Sequence, residues 1–257
     1  MELHYPKKAN GMFILGKYDM DDIAYMVLRE YMPSALESPE TVDIIKLAEG
    51  AFYLTIRNEI LQKPVLAITA FDDIEDIADI ANVFHSSVIQ SLPTGTVLVD
   101  ARLKSPENRR RRRYTIAHEV AHWILHRTYF SPTNQKYHFR EQRAPYIACR
   151  VFDIEHIQRY INSDKGWVEW QANSLASALL MPREPFRTYS ENLIHSMGWR
   201  YLCESRITSD YDFILDAIAG YFMVSRIAAE IRLKQLGLMQ EQKSRVNLYG
   251  YIRYMTG

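Results

Sequence analysis

His118, Glu119 and His122, an H-E-x-x-H, constrain this chain more than any other feature in it. On a helix, positions four apart lie one turn along the same face, so both imidazoles can reach one metal ion. Glu119 then stands beside the first histidine, able to reach a water on that ion without itself ligating. Neutral imidazole suits zinc, and a carboxylate beside activated water is a general base. The spacing thus points to a zinc-dependent hydrolase. The competing reading is a core helix whose histidines are satisfied by hydrogen bonds. Nothing in the flanks forbids the helix: no Gly or Pro interrupts Thr115 to Thr128, and Thr115 is a candidate N-cap. Ile116, Val120, Trp123, Ile124 and Arg127 suit a helix with one buried side.

A hydrolytic site needs a third protein ligand and a position left for water. Downstream, Trp167 to Leu180 reads as one helix, apolar along Ala172, Leu175, Ala176, Leu179 and Leu180 and ended by Met181-Pro182. Glu169 opens it, and Asn173 lies one turn further on the same face. Together they offer a carboxylate ligand and an amide able to hold a ligating histidine in place. Glu169 could equally be an acid favoured by the dipole of a first helical turn.

Arg113 to His126 resembles the R-F-T-x-A-H-E-x-G-H-x-x-L-H segment of the ImmA/IrrE metallopeptidases. Glu169 to Pro182 resembles that family's second signature, E-x-x-A-N-x-F-A-x-x-L-L-M-P. Ala121 replaces the usual Gly, and Leu175 the usual Phe. Weaker echoes lie in Val42 to Glu49 and in Thr96 to Asp100. The resemblance implies His118, His122 and Glu169 as zinc ligands and Glu119 as the catalytic acid/base. It also implies a protein substrate, a transcriptional repressor whose cleavage switches on mobile-element or stress genes. The implied architecture is α+β and zincin-like: mostly helical, with a small antiparallel sheet beside the H-E-x-x-H helix. Residues 1–190 would form the metallopeptidase domain and 191–257 a helical C-terminal region.

The remaining histidines fit less well. His126 continues the four-residue spacing, but three consecutive turns cannot converge on one tetrahedral ion. It is expected to cap the helix C-terminus, where its charge suits the dipole. His138 and His156 lie between the motifs, each a candidate transition-state donor or simply a surface or core residue. Cys149 and Cys203 share no metal-like spacing and read as reduced, buried thiols.

Helices are expected at Met20 to Tyr31 and Val42 to Glu49, strands at Ala51 to Arg57, Val65 to Phe71 and Thr96 to Ala101. Ile74, Ile77, Ala81, Phe84 and Val88 are spaced as a further helix, in a segment read as an insertion. The run Arg109 to Arg113 reads as a solvated loop before the active-site helix, with phosphate or an acidic surface as weaker alternatives. Asp212 to Gly237 reads as two helices broken at Met223-Val224-Ser225, with Ser225 capping the second. This pair resembles a helix-turn-helix half, but packing on the core is favoured over DNA because a patterned basic face is missing.

With 31 basic and 31 acidic residues, no global field argues for nucleic acid or an anionic membrane. No apolar run approaches the roughly 20 residues needed to span a bilayer, and Met1 to Gly16 lacks a signal-peptide core. The expected location is the cytoplasm. The alternative function is a non-catalytic regulator that binds DNA or a repressor, its metal site being structural. Structural zinc, however, prefers four protein ligands, usually with thiolates.

Overall fold

The computed structural model describes residues 2–39, 41–84, 86, 89–130, 144–151, 163–203 and 209–240. Val88, His138, His156 and the side chain of Cys203 lie outside them. The elements, in order, are α1 (Lys17–Tyr31), α2 (Ser34–Glu37), α3 (Ile44–Lys46), β1 (Thr55–Glu59), β2 (Val65–Ala70), β3 (Thr96–Asp100), α4 (Arg109–Phe130) and β4 (Tyr146–Arg150). They continue through α5 (Asp164–Leu180), α6 (Arg183–Ser196), β5 (Leu202–Cys203), α7 (Ser209–Tyr221), α8 (Arg226–Gln235) and β6 (Met239–Gln240). The fold is α+β and mostly helical, as the sequence predicts.

Four strands form the main sheet in the order β1-β3-β2-β4. The sheet is mixed where a purely antiparallel one was expected. β1 runs parallel to β3, Thr55 opposite Thr96, while β2 is antiparallel to both β3 and β4. The reason lies in the connections. β2 to β3 doubles back as neighbours, whereas β1 reaches the far side of β3 and so shares its direction. Strand residues alternate between faces. Val97 and Val99 therefore join the core beneath α4, while Ile68, Ala70 and Leu98 join a second, smaller core on the opposite face.

That second core explains a failed expectation. Ile74, Ile80, Val83 and Phe84 are buried there, but from bridged loops and one 3₁₀ turn (Ile77–Ile80), with no continuous helix. Ile74 bridges Leu92 and Phe84 bridges Leu61, so backbone pairing replaces the helical ladder. Likewise, Val42 to Glu49 gives only the short α3 followed by a π-helical turn, Leu47–Ala51. The strand expected from Ala51 begins at Thr55 for that reason.

α4 starts at Arg109, six residues before the expected cap. Thr115 is consequently an interior, fully buried residue, and the arginine run forms the helix's opening turns, with no loop there. Arginine is a good helix former, so nothing local opposes this. Arg113 turns inward and donates to the carbonyls of Phe222 (2.7 Å) and Val42 (2.6 Å). Burial pulls its pKa down to about 10, which leaves it charged at neutral pH.

α4 packs between the sheet and α5, and α1 covers α5 from the other side. The principal apolar core runs without a break from Met12 through α1, α4 and α5 to Phe222, Leu233 and Met239. α7 and α8 meet at the expected break. Ser225 accepts from the backbone N–H of Ala228 at 3.1 Å, and Met223 takes φ of 51°. The three cations of α8 are all engaged within the protein: Arg226 with Asp212 and Asp216, Lys234 with Glu230, and Arg232 with Asp21. Arg232 is only 3% exposed. No helix among the described residues is long and apolar enough to cross a membrane.

Candidate active site

The α4–α5 interface builds the site. His118, Glu119 and His122 face inward from the middle of α4, all fully buried. Glu169 and Asn173 meet them from α5. That helix begins at Asp164, behind a Ser163 cap that accepts from Gly166 N–H at 3.1 Å, so Glu169 sits in its second turn and does not open it. A dipole preference for the first turn is thus not what places this acid.

His118 Nε2 and His122 Nε2 are 2.9 Å apart, and Glu169 Oε2 lies 3.3 Å from the first and 3.6 Å from the second. The outer ring nitrogens decide what these inner ones can be. His118 Nδ1 is 3.0 Å from Asn173 Oδ1, which can only accept and also receives the Tyr114 hydroxyl at 3.2 Å. His122 Nδ1 is 3.0 Å from His126 Nδ1, and His126 Nε2 is 3.0 Å from Gln171 Oε1. Gln171 is oriented in turn, because its Nε2 donates to the Phe13 carbonyl at 2.8 Å. Reading back along this chain, His126 must donate through Nε2 and accept through Nδ1. His122 then carries its proton on Nδ1.

Both Nε2 atoms therefore present lone pairs, and they do so beside a carboxylate neither of whose oxygens meets a hydrogen-bond donor among the described residues. Three buried acceptors converge with nothing to satisfy them, which is costly unless a cation sits between them. The spacings suit one ion: tetrahedral ligands at roughly 2.0–2.2 Å from a zinc centre lie about 3.3–3.6 Å from each other. The donor set, two imidazoles and a carboxylate, fills three of a tetrahedral ion's four positions and suits zinc in a hydrolytic site. The titration behaviour agrees. Burial pushes His118 down, but the Glu169 carboxylate beside it more than offsets this and raises its pKa. Burial beside His118 lowers His122 to about 4. Burial also works against ionised Glu169, yet the imidazoles of His118 and His122 set against it hold its carboxyl well below the usual range. The pocket wants a single positive charge.

Glu119 looks elsewhere. The Thr69 hydroxyl on β2 donates to its Oε2 at 2.6 Å, while Oε1 has no partner among the described residues. Burial lifts its pKa to about 7, against the pull of His118 and of the Thr69 hydrogen bond. A carboxylate poised near neutrality, with one oxygen fixed and one unbound, is suited to take and return a proton. Cys149 on β4 is buried and outside any disulfide among the described residues, and its Sγ lies within 4.8 Å of ligand atoms of His118 and Glu119. The histidine pair with Glu169 is the better metal set, since Glu119 is already held by Thr69.

One expectation is overturned here. His126 does not cap a helix end with a positive charge, because α4 continues to Phe130. It is fully buried, and burial next to His122 drives its pKa down to about 3, so it is neutral. Thr69, Tyr114, His126 and Gln171 all orient site residues, and none was singled out for that role from the sequence. Gln171 had a signal: it lies between Glu169 and Asn173 in the second motif. Thr69 had none beyond lying on a strand.

A family model described as the IrrE N-terminal-like domain, Peptidase M78, matches residues 74–234. No curated protein matches the chain.

Proposed function

Since the chain belongs to the IrrE N-terminal-like peptidase family, we propose that it is a zinc-dependent endopeptidase acting on a protein substrate. The observation that carries this reading is the convergence of His118 Nε2, His122 Nε2 and the Glu169 carboxylate with no donor among them. Those three residues would hold the zinc. When bound, the ion supplies Lewis acidity toward a carbonyl oxygen and makes water a stronger acid.

The chain's own residues supply the rest. Asn173 and the His126–Gln171 pair keep both imidazoles turned so that Nε2 faces the ion. Glu119, steadied by Thr69, accepts a proton from the attacking water through its free Oε1 and returns it to the leaving nitrogen. β4 lies at one edge of the main sheet, where an extended peptide can add by backbone hydrogen bonds.

The substrate we propose is a transcriptional repressor, cut in the cytoplasm to release the genes it silences. The resemblance of both motifs to the ImmA/IrrE enzymes supports this. The engagement of Arg226, Arg232 and Lys234 with carboxylates of the same chain supports α7 and α8 as a packing element over a DNA reader. The α7–α8 pair would accordingly act as a helical extension of the peptidase unit.

The test compares wild type with Glu119→Gln. Both should carry stoichiometric zinc, and mass spectrometry of new protein N-termini in expressing cells should find cleavage products only with wild type. The same set of new termini in both strains would remove Glu119 from its role. Wild-type protein that refuses zinc would remove the peptidase reading altogether.

A further inference from the structure

The arginine run at the start of α4 has a place that the metal centre does not explain. A cavity of about 680 Å³ opens between Thr41–Ile45, the turns around Leu103 to Pro106, the first turns of α4 and the α7–α8 break at Met223. Lys104, Arg109, Arg112 and Arg113 line it, and Asp43 is the one carboxylate among the lining residues. Asp43 is partly spent, since its Oδ1 accepts from the Lys46 backbone N–H at 3.1 Å.

The four cations differ. Arg113 is committed to the carbonyls that hold the cavity walls together. Arg112 donates one Nη–H to Asn58 Oδ1 at 3.2 Å, but its buried Nε meets no acceptor among the described residues. Lys104 and Arg109 make no ion pair with any described residue. Gathering like charges around a concavity raises their mutual repulsion, and a buried guanidinium N–H without an acceptor is a standing cost. An anion would relieve both. Its geometry is also set: a guanidinium fork matches the oxygens of a phosphate, and the opening turn of a 22-residue helix adds its dipole.

The remaining walls are apolar, from Ile44, Leu103, Ile116 and Met223. A simple inorganic anion would leave them wet, whereas a ligand with a phosphate and an apolar or planar body would use both surfaces. We propose that this cavity binds a phosphorylated small molecule of nucleotide size, its phosphate on Arg109 and Arg112 and its body along Ile44, Leu103 and Ile116. Ile116 is two residues from His118 on the same helix, so the ligand would grip the element that carries the metal site.

Isothermal titration of the zinc-loaded full chain tests this, with ADP, inorganic pyrophosphate and adenosine as probes. ADP and pyrophosphate should bind and adenosine should bind far more weakly. Arg112→Gln and Lys104→Gln should each weaken ADP by about tenfold, with zinc content and circular dichroism unchanged. Lys104 is exposed, so its variant keeps the test open if Arg112→Gln fails to fold. No binding of ADP or pyrophosphate to wild type would overturn the proposal. So would binding that persists undiminished in the variants, which would mark zinc chelation. A short DNA duplex that binds, and loses binding in these variants while ADP does not bind, would replace the small molecule with nucleic acid.

Discussion

Replacing His126 with Leu probes the hydrogen-bond chain behind His122 directly. Wild-type His122 hands its Nδ1 proton to His126 Nδ1 at 3.0 Å, and that bond keeps the Nε2 lone pair free for a metal. Leucine fills a similar volume but accepts nothing, so the buried His122 N–H is stranded. The imidazole can then escape only by turning or by moving its proton to Nε2, the very atom the metal needs. Losing such an orienting partner typically costs about tenfold to hundredfold in metal affinity, or roughly 1.4 to 2.7 kcal/mol. His126→Gln is the companion variant: its side-chain oxygen can accept from His122 and its amide can donate to Gln171, so it should recover most of the loss. Zinc competition against a chromophoric chelator at neutral pH measures both, with circular dichroism reporting the fold. If His126→Leu binds zinc as tightly as wild type, or if the Gln variant is just as weak, the tautomer argument is wrong.

Zinc binding should release a proton, because the raised pKa of His118 keeps one in the metal-free site. Affinity should therefore climb as pH rises toward the raised pKa of His118, then flatten above it. Calorimetry in buffers of different ionisation enthalpy reads this, and buffer-independent heats would contradict it. Asp21→Ala leaves Arg232, 3% exposed, without its carboxylate. Breaking such a buried pair costs about 3–5 kcal/mol, here toward the lower end because Arg232 Nε still reaches the Met181 carbonyl at 3.1 Å. Urea unfolding measures it, and an unchanged midpoint would show the pair to be ornamental. Gly95→Ala should destabilise by about 1 kcal/mol through its positive φ alone. Space is not the obstacle, since the added carbon would lie 3.5 Å from Trp123. Thermal melting checks it, and a more stable variant would refute the conformational argument.

The buried cluster of two histidines and a glutamate was legible because its information is local. His118, His122, Glu169 and Asn173 each lie one turn from a partner on an uninterrupted helix, and that periodicity survives whatever the tertiary fold does. Ser225 was legible for the same reason, as a cap beside a visible break. His126 was misread because its partner comes from another helix, and no spacing in α4 reveals that Gln171 lies opposite. The segment from Ile74 to Phe84 misled through real periodicity. Its apolar residues are buried, but a sheet face accepts such residues from loops as readily as from a helix. β4 went unseen because the connection between the motifs was read for its histidines and not for the alternation of Tyr146 to Arg150. The start of α4 was missed because five arginines were weighed as charge, although their backbone preference favours the helix equally well.

The two cores on opposite faces of the sheet divide the molecule into a working side and a side that merely supports it. Leu61, Ile80, Phe84 and Leu92 interlock with one another and with Ile68 and Leu98, away from His118, His122 and Glu169. A change there can alter how firmly the sheet stands without redirecting Thr69, whose hydroxyl points the other way to Glu119. The exposed positions around Glu75 and Asp79 are thus where a fluorophore, affinity tag or tether can be attached with least consequence for chemistry. For a member of a peptidase family, that is a practical foothold: a handle on the back of the molecule, leaving the opposite face of the sheet clear.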